Sequence, residues 1–109
     1  MENKSKAETF AGFAVRAGKM RTGANTLSVL KKAYLIILCR TAADGTRKNA
    51  LKYAAKYRCP ALITETKDLS EIIYKNGIKV AAITDRALAK ALKDNAAPTF
   101  KELLPEEEN

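Results

Sequence analysis

The sequence contains no histidine and only two cysteines. Without histidine, a Ser/His/Asp triad, a Cys/His dyad and every metal site with an imidazole ligand are excluded. Cys39 and Cys59 stand 20 residues apart without a CxxC spacing, so they cannot form a four-thiolate site. We interpret them as buried reduced thiols rather than as a disulfide, a ligand pair or a nucleophile. The sequence therefore predicts neither an enzyme nor a cofactor nor a metal.

Long apolar segments are also missing. The longest apolar run, residues 33–39, is far shorter than the ~20 residues of a membrane helix. The first ten residues, MENKSKAETF, lack the apolar core of a signal peptide. We therefore expect a cytoplasmic protein without a membrane partner and, at 109 residues, a single domain.

Acidic residues are scarce in the first half of the chain. None lies between Glu8 and Asp44. Residues 1–60 hold 13 basic and 3 acidic residues, whereas residues 61–109 hold 7 and 9, and the whole chain carries +8. Such a one-sided cation excess attracts polymers rich in phosphate. Many soluble proteins are basic without such a partner, so the charge makes nucleic acid the leading partner class and does not establish it.

Three apolar runs predict strands that are covered on both faces, at residues 34–39, 61–64 and 80–83. Residues 19–22 are short enough for an edge strand or a bare connection. Helical segments separate these runs. The alternation predicts an α/β protein with helices on both faces of one small sheet.

Helix starts are recognisable from their capping residues. Ser5 and Glu8 have the spacing of a capping box, and the helix that they begin is predicted to stop at Gly18. Thr66 and Asp85 are predicted to cap two later helices. Carboxylates at such positions are better explained as caps than as acid/base catalysts.

Residues 21–32, RTGANTLSVLKK, form the best candidate for a binding surface. They predict a helix from Ala24 to Lys32 that begins directly after Gly23. The first turn of a helix leaves backbone amides without intrahelical acceptors, and such amides bind phosphate. Asn25 adds a side-chain amide that can both donate to and accept from a base edge. A row of lysines on the following helix, at residues 48, 52 and 56, is interpreted as a solvated face rather than as a binding site.

The order of several motifs resembles the ribosomal protein L-seven-Ae family, whose relatives include L-thirty-e, and most closely its bacterial YlxQ-like branch. These motifs are A-x-R-A-G-K-x-x-x-G at residues 14–23, the strand and loop of KKAYLIILCRTAADGTRKN, CPALIT, and VAAITD followed by a basic helix. The resemblance covers residues 9–93. It implies a three-layer α/β/α sandwich with a small mixed four-stranded sheet. It also implies that the protein recognises structured RNA, commonly a kink-turn, without catalysis; ribosomal RNA, a riboswitch kink-turn and the ribosome are the expected partners.

In that family the start of the second helix carries a G-x-N-E-x-x-K pattern that faces the RNA. Gly23 and Asn25 match it, whereas Thr26 stands where an acid is usual and Val29 where a lysine is usual. These departures keep a second interpretation open, in which the fold serves as a protein-interaction or scaffold module that has lost kink-turn specificity. A third, an accessory domain of an RNA-modifying enzyme, rests on fold analogy alone.

Together the helix start, its flanking cations and the resemblance define the predicted site and the domain. The residues predicted to contact RNA are Lys19, Arg21, Gly23, Ala24, Asn25, Thr26, Lys31, Lys32 and Arg40. The RNA-binding domain is predicted to span residues 1–97, and residues 98–109 are predicted to form an acidic, mobile tail.

Overall fold

Helices and strands alternate along the chain, as the sequence predicts. A computed structural model describes residues 5–105. In this range the helices are α1 (Lys6–Arg16), α2 (Ala24–Leu27), α3 (Asp44–Tyr57), α4 (Leu69–Ile73) and α5 (Arg86–Asp94). The strands are β1 (Met20–Thr22), β2 (Leu35–Leu38), β3 (Ala61–Thr64), β4 (Val80–Ile83) and β5 (Phe100–Glu102).

The strands form one mixed sheet in the order β1-β4-β2-β3-β5. Only β2 and β3 run parallel among the paired strands of the described chain, and the other three pairs are antiparallel. The α/β fold with a mixed sheet is confirmed. The sheet has five strands rather than the predicted four, because β5 adds itself to the outer side of β3.

β5 lies inside the segment that the sequence analysis assigned to a tail. Phe100 and Leu103 are 1% and 4% exposed, and the Leu103 amide donates to the carbonyl of Ala61. The folded region therefore extends past residue 97, and the predicted boundary is too early. The acidic composition of the last twelve residues masked two apolar residues that reach the core. Residues 106–109 of the predicted tail lie outside the described residues.

Each face of the sheet carries its own apolar cluster. Side chains at alternate positions of a strand point to opposite faces. In β2, Leu35 and Ile37 join the cluster under α1, α4 and α5, whereas Ile36 and Leu38 join the cluster under α2 and α3. The central strands are buried at every position, which explains their continuous apolar sequences.

The predicted capping box at the start of α1 is confirmed. Ser5 Oγ accepts a hydrogen bond from the Glu8 amide, and the Glu8 carboxylate accepts one from the Ser5 amide, both at 3.1 Å. Lys67 Nζ lies 2.9 Å from the other Glu8 oxygen, which ties α1 to the segment before α4. Burial is the largest single influence on the pKa of Glu8 and raises it. The hydrogen bonds from Lys67 and the Ser5 amide together outweigh burial, so the pKa of Glu8 is lowered overall.

Two helices differ from their predicted limits. α2 ends at Leu27 instead of Lys32, because neighbouring side chains take the carbonyls that would continue it. Ser28 Oγ donates to the Asn25 carbonyl at 2.8 Å, and side chains of α3 bind the next carbonyls. Thr66 does not cap α4. That helix begins after Asp68, whose carboxylate pairs with Arg40 at 2.8 Å.

The two ends of the sheet are the reference points for the site. We call the end where β4 begins the upper end; there the Gly23 amide donates to Val80 O and the Cys39 amide to Lys79 O. We call the opposite end the lower end; there the Thr84 amide donates to Lys19 O. Within residues 5–105, no helix is both long enough and apolar enough to cross a membrane.

Candidate nucleic-acid interface

Gly23 turns the chain from β1 into α2 at the upper end. Its φ of 91° and ψ of 143° belong to a backbone region that L side chains rarely adopt. A Cβ added there would meet nothing within 4 Å, so the backbone conformation, and not a close contact, requires glycine. This turn starts α2 directly after β1.

The backbone amides of Ala24, Asn25 and Thr26 have no acceptor in the part of the chain that the structure describes. Asn25 and Thr26 are exposed, and their side chains make no hydrogen bond with any described residue. Three amides, one carboxamide and one hydroxyl therefore face solvent within a single turn. This is a cluster of donors and acceptors suited to phosphate oxygens and base edges.

Side chains of α3 hold α2 in place. Tyr53 Oη donates to Ala24 O at 3.1 Å, Tyr57 Oη donates to Leu27 O, and Lys56 Nζ donates to Ser28 O at 2.6 Å. Leu27 is fully buried beneath the helix. The position of the exposed turn is thus fixed by contacts on its inner side, which leaves its outer side available.

Arg40 and Lys79 lie at the same end of the sheet. Arg40 Nε donates to Asp68 at 2.8 Å and its Nη1 donates to Glu65 O at 2.9 Å. The hydrogen bond to Asp68 raises the pKa of Arg40 and partly neutralises its charge. Arg40 therefore organises the loop between β3 and α4.

Lys79 was not among the residues predicted from the sequence. Its Nζ donates to Thr41 Oγ1 at 2.7 Å, and its carbonyl accepts the Cys39 amide. Because the next residue, Val80, accepts the Gly23 amide at 3.1 Å, the Lys79 backbone is close to the start of α2. A lysine directly before the last central strand was the available signal.

The lysine row on α3 borders α2. Residues four apart lie on one face of a helix, and Lys56 of this row contacts Ser28. Lys48 and Lys52 are exposed, and no ion pair joins them to another described residue. The row was interpreted from the sequence as a solvated face, and Lys48 and Lys52 are indeed exposed on a helix that packs beside α2.

The remaining predicted residues do not join this group. Lys19 lies at the lower end, about 13 Å of extended chain from Gly23. Arg21 folds back toward the same end, since its Nη1 donates to Gly18 O at 2.9 Å. Lys31 and Lys32 lead into the start of β2, and Lys32 Nζ lies 5.8 Å from the ring centroid of Tyr34. Residues 23–26 and Arg40 thus share the upper end of the sheet, where Arg40 binds Asp68 and Glu65, and the other four cations lie apart from them.

Within residues 5–105 no group of three or more His, Cys, Asp or Glu residues could hold a metal ion. Both cysteines are free; Cys39 is buried and Cys59 is partly buried.

Comparisons with known proteins agree with the fold and with the family resemblance. No family model matches the chain. RNA-binding protein YlxQ of Enterococcus faecium is 29% identical over 96 residues, which are 84% of this chain and 92% of that protein. A solved structure of a protein of unknown function from Bacillus halodurans matches with a TM-score of 0.74 at 23% identity, covering 84% of this chain and 96% of that one, and shows the fold alone. The chain is therefore similar to a YlxQ protein over most of its length, which confirms the resemblance that its motifs indicate.

Proposed function

We propose that this protein binds RNA, without catalysis, through an α2 surface formed by residues 23–26, Lys48, Lys52 and Lys79. The observation that carries the proposal is the exposed turn at Gly23, where three backbone amides and two polar side chains lack partners among the described residues. The similar protein from Enterococcus faecium is named an RNA-binding protein, which supports the same function here.

In this proposal cations and amides bind phosphates, while Asn25 and Thr26 contact base edges. Phosphate contacts position an RNA, and contacts with exposed bases give sequence or structure specificity. A helix of four residues has only a small dipole, so direct hydrogen bonds and lysine charge provide most of the attraction. Arg40 supports the surface by holding the neighbouring loop. Four other cations were predicted from the sequence to contact RNA but lie outside the α2 surface: Lys19, Arg21, Lys31 and Lys32. Their contact with RNA stays a prediction.

A kink-turn is the proposed target. Its test compares binding of the purified protein to a kink-turn RNA and to the same RNA with its sheared G·A pairs replaced. We expect tighter binding to the intact kink-turn, since Gly23 and Asn25 keep the RNA-facing positions of the family that the chain resembles. Equal affinity for both RNAs would refute kink-turn recognition and leave general RNA binding in place.

The Asn25→Ala/Thr26→Ala double variant tests the surface itself. We expect its affinity for the intact kink-turn to fall at least about tenfold, because a good base-edge contact contributes about 1–3 kcal/mol. Thr66→Ala/Asn76→Ala is the matched control, since both residues are exposed and lie outside the α2 surface. Unchanged binding by the first variant would remove Asn25 and Thr26 from the interface.

A protein-interaction module is the second candidate function. Val29 is 76% exposed close to the same turn, where the related family usually has a lysine, so the surface has gained an apolar residue. A partner protein recovered with the purified chain, together with absence of nucleic acid, would favour this candidate. A peak with ribosomal subunits in a sucrose gradient, lost after ribonuclease treatment, would favour RNA binding and the proposed ribosomal, cytoplasmic setting.

A further inference from the structure

A second basic surface lies at the lower end of the sheet. There α5, the end of α3 and the start of β2 enclose a cleft of about 490 Å³. Five cations and one acid line it: Lys32, Arg58, Arg86, Lys90, Lys93 and Asp94. The lining thus carries +4, which is half of the net charge of the whole chain.

The cations of this cleft are poorly neutralised. Only Lys90 has an acidic partner, Asp94 at 2.8 Å, among the ion pairs of the described residues. Arg86 and Lys32 both lie over the ring of Tyr34, at 5.4 and 5.8 Å from its centroid. Both cations therefore lie near the same ring, and neither has an acidic partner among the ion pairs of the described residues. Like charges gathered without anions repel one another, and a bound polyanion would relieve this repulsion.

Arg58 is the cation that the end of α3 adds to the cleft. It follows α3 in the left-handed region, with φ 53° and ψ 48°, where glycine is the usual residue after a helix. A non-glycine residue is less stable in this conformation. An arginine here is less stable than glycine and adds a charge to the cleft; Tyr74 has the same conformation after α4, so the charge of Arg58, and not its backbone, supports a role in the cleft.

The cleft is separate from the α2 surface. β2 begins beside the cleft and ends at the upper end, so its four residues, about 13 Å, separate the cleft from the turn at Gly23, although Tyr57 of the cleft lining donates to Leu27 O at the end of α2. No residue belongs to both. A cleft lined by several exposed lysines and arginines suits the repeating phosphates of a chain more than a single small molecule.

We propose that this lower cleft binds phosphodiester groups of a second RNA segment, so that the protein holds RNA at both ends of its sheet. The proposal goes beyond the proposed function, because it assigns RNA to residues that the α2 surface does not contain. It predicts that substitutions in either surface weaken RNA binding independently of substitutions in the other surface.

The first test uses Lys32→Gln/Arg58→Gly/Lys93→Gln in the full chain, with a 15-residue oligouridylate as probe. We expect affinity to fall at least about fivefold and the slope of log K against log salt to decrease by about 2, near 0.7 for each lost phosphate contact on single-stranded RNA. The control, Lys6→Gln/Lys75→Gln/Lys101→Gln, removes the same charge from exposed positions outside both surfaces. An equal loss in both variants would show a general charge effect and overturn the proposal.

The single variant Arg58→Gly excludes unfolding as an explanation. Glycine relieves the left-handed conformation, so the melting temperature should stay the same or rise while RNA affinity falls about twofold or more. Unchanged affinity in this variant, together with unchanged affinity in the triple variant, would overturn the assignment.

Two further comparisons identify the ligand and separate the hypotheses. In backbone NMR spectra, the oligouridylate should shift the Arg58, Cys59 and Tyr34 amides at far lower concentration than uridine monophosphate or inorganic phosphate. Equal effects of the mononucleotide would make this a small-anion site and refute the polymer proposal. If Asn25→Ala/Thr26→Ala binds RNA normally while the cleft variant does not, the α2 surface fails and the lower cleft stands.

Discussion

Gly23 and Arg58 both have positive φ, but only Gly23 is of the residue type that a positive φ favours. Gly23 satisfies a backbone requirement, and its turn exposes the amides of α2. Arg58 accepts an unfavourable backbone and contributes charge to the lower cleft. Single residues thus shape the two basic surfaces in different ways: one through backbone geometry and one through its side chain.

Replacing Gly23 by alanine should destabilise the protein by about 1–3 kcal/mol. The cost is conformational, because a Cβ at this position meets no atom within 4 Å. Gly45→Ala is the matched control: it also adds a Cβ in open space but lies within α3, where alanine should stabilise by about 0.5–1 kcal/mol. Urea unfolding measures both changes. Effects of the same sign would contradict the backbone explanation.

Cys59 should react more slowly than an ordinary cysteine. Burial raises the pKa of Cys59 from 9.0 to about 11. The thiolate is the reactive form, so at pH 8 iodoacetamide should modify Cys59 about 100-fold more slowly than an exposed cysteine, and the rate should rise about tenfold per pH unit up to pH 10. Mass spectrometry of timed samples measures the rate. Fast modification at pH 8 would show that Cys59 is more open than the structure indicates.

Among the elements, β5 extends the folded domain beyond the limit that was predicted at residue 97. Phe100 is almost fully buried in the cluster beneath α1, α4 and α5. Phe100→Ala should lower the free energy of unfolding by about 3–5 kcal/mol. Lys101→Ala, on the exposed side of the same strand, should cost at most about 1 kcal/mol through its surface contact with Glu65. If the two variants are equally stable, β5 is dispensable and the domain ends near residue 97.

The start of α1 should make stability depend on pH. The folded pKa of Glu8 lies below its ordinary value of 4.5, so its contribution is complete above that value and is lost as pH falls through the folded pKa. We expect Glu8→Gln to be less stable than the native chain at pH 7, and this difference should shrink at pH 3. Denaturant unfolding at both pH values checks this. A difference that grows in acid would reverse the assigned direction.

Local sequence predicts most elements but not the limits set by distant contacts. The three central strands could be predicted because each is apolar along its length and covered on both faces. The early end of α2 could not be predicted, since Lys56 and Tyr57, about 30 residues later, bind its carbonyls.

The candidate site shows the same division between local and distant information. The turn at residues 23–26 is local and was recognised. The separation of Lys19 and Lys32 from that turn depends on the direction of β1 and β2 within the sheet. The sequence alone does not state this direction.

In the whole molecule, cations lie at both ends of the sheet, where the two proposed RNA-binding surfaces are. The described chain leaves the sheet beyond Leu103, whose amide pairs with Ala61 at the lower end. Glu106, Glu107 and Glu108 follow in the sequence and carry the opposite charge to the basic surfaces. Glutamine at these three positions should tighten RNA binding about threefold at low salt, by removing long-range repulsion. The gain should vanish near 1 M salt, where the screening length is about 3 Å, and a gain that persisted would point to direct contacts.

The two outer strands determine how the sheet meets other sheets. β1 and β5 are each three residues long and carry an exposed cation at the middle position, Arg21 or Lys101. Short, charged edges discourage the addition of a strand from another molecule. Despite its apolar central strands, the folded chain should therefore resist edge-to-edge aggregation at high concentration. Arg21 lies outside the α2 surface, and its charge at the edge of the sheet can instead protect against this aggregation.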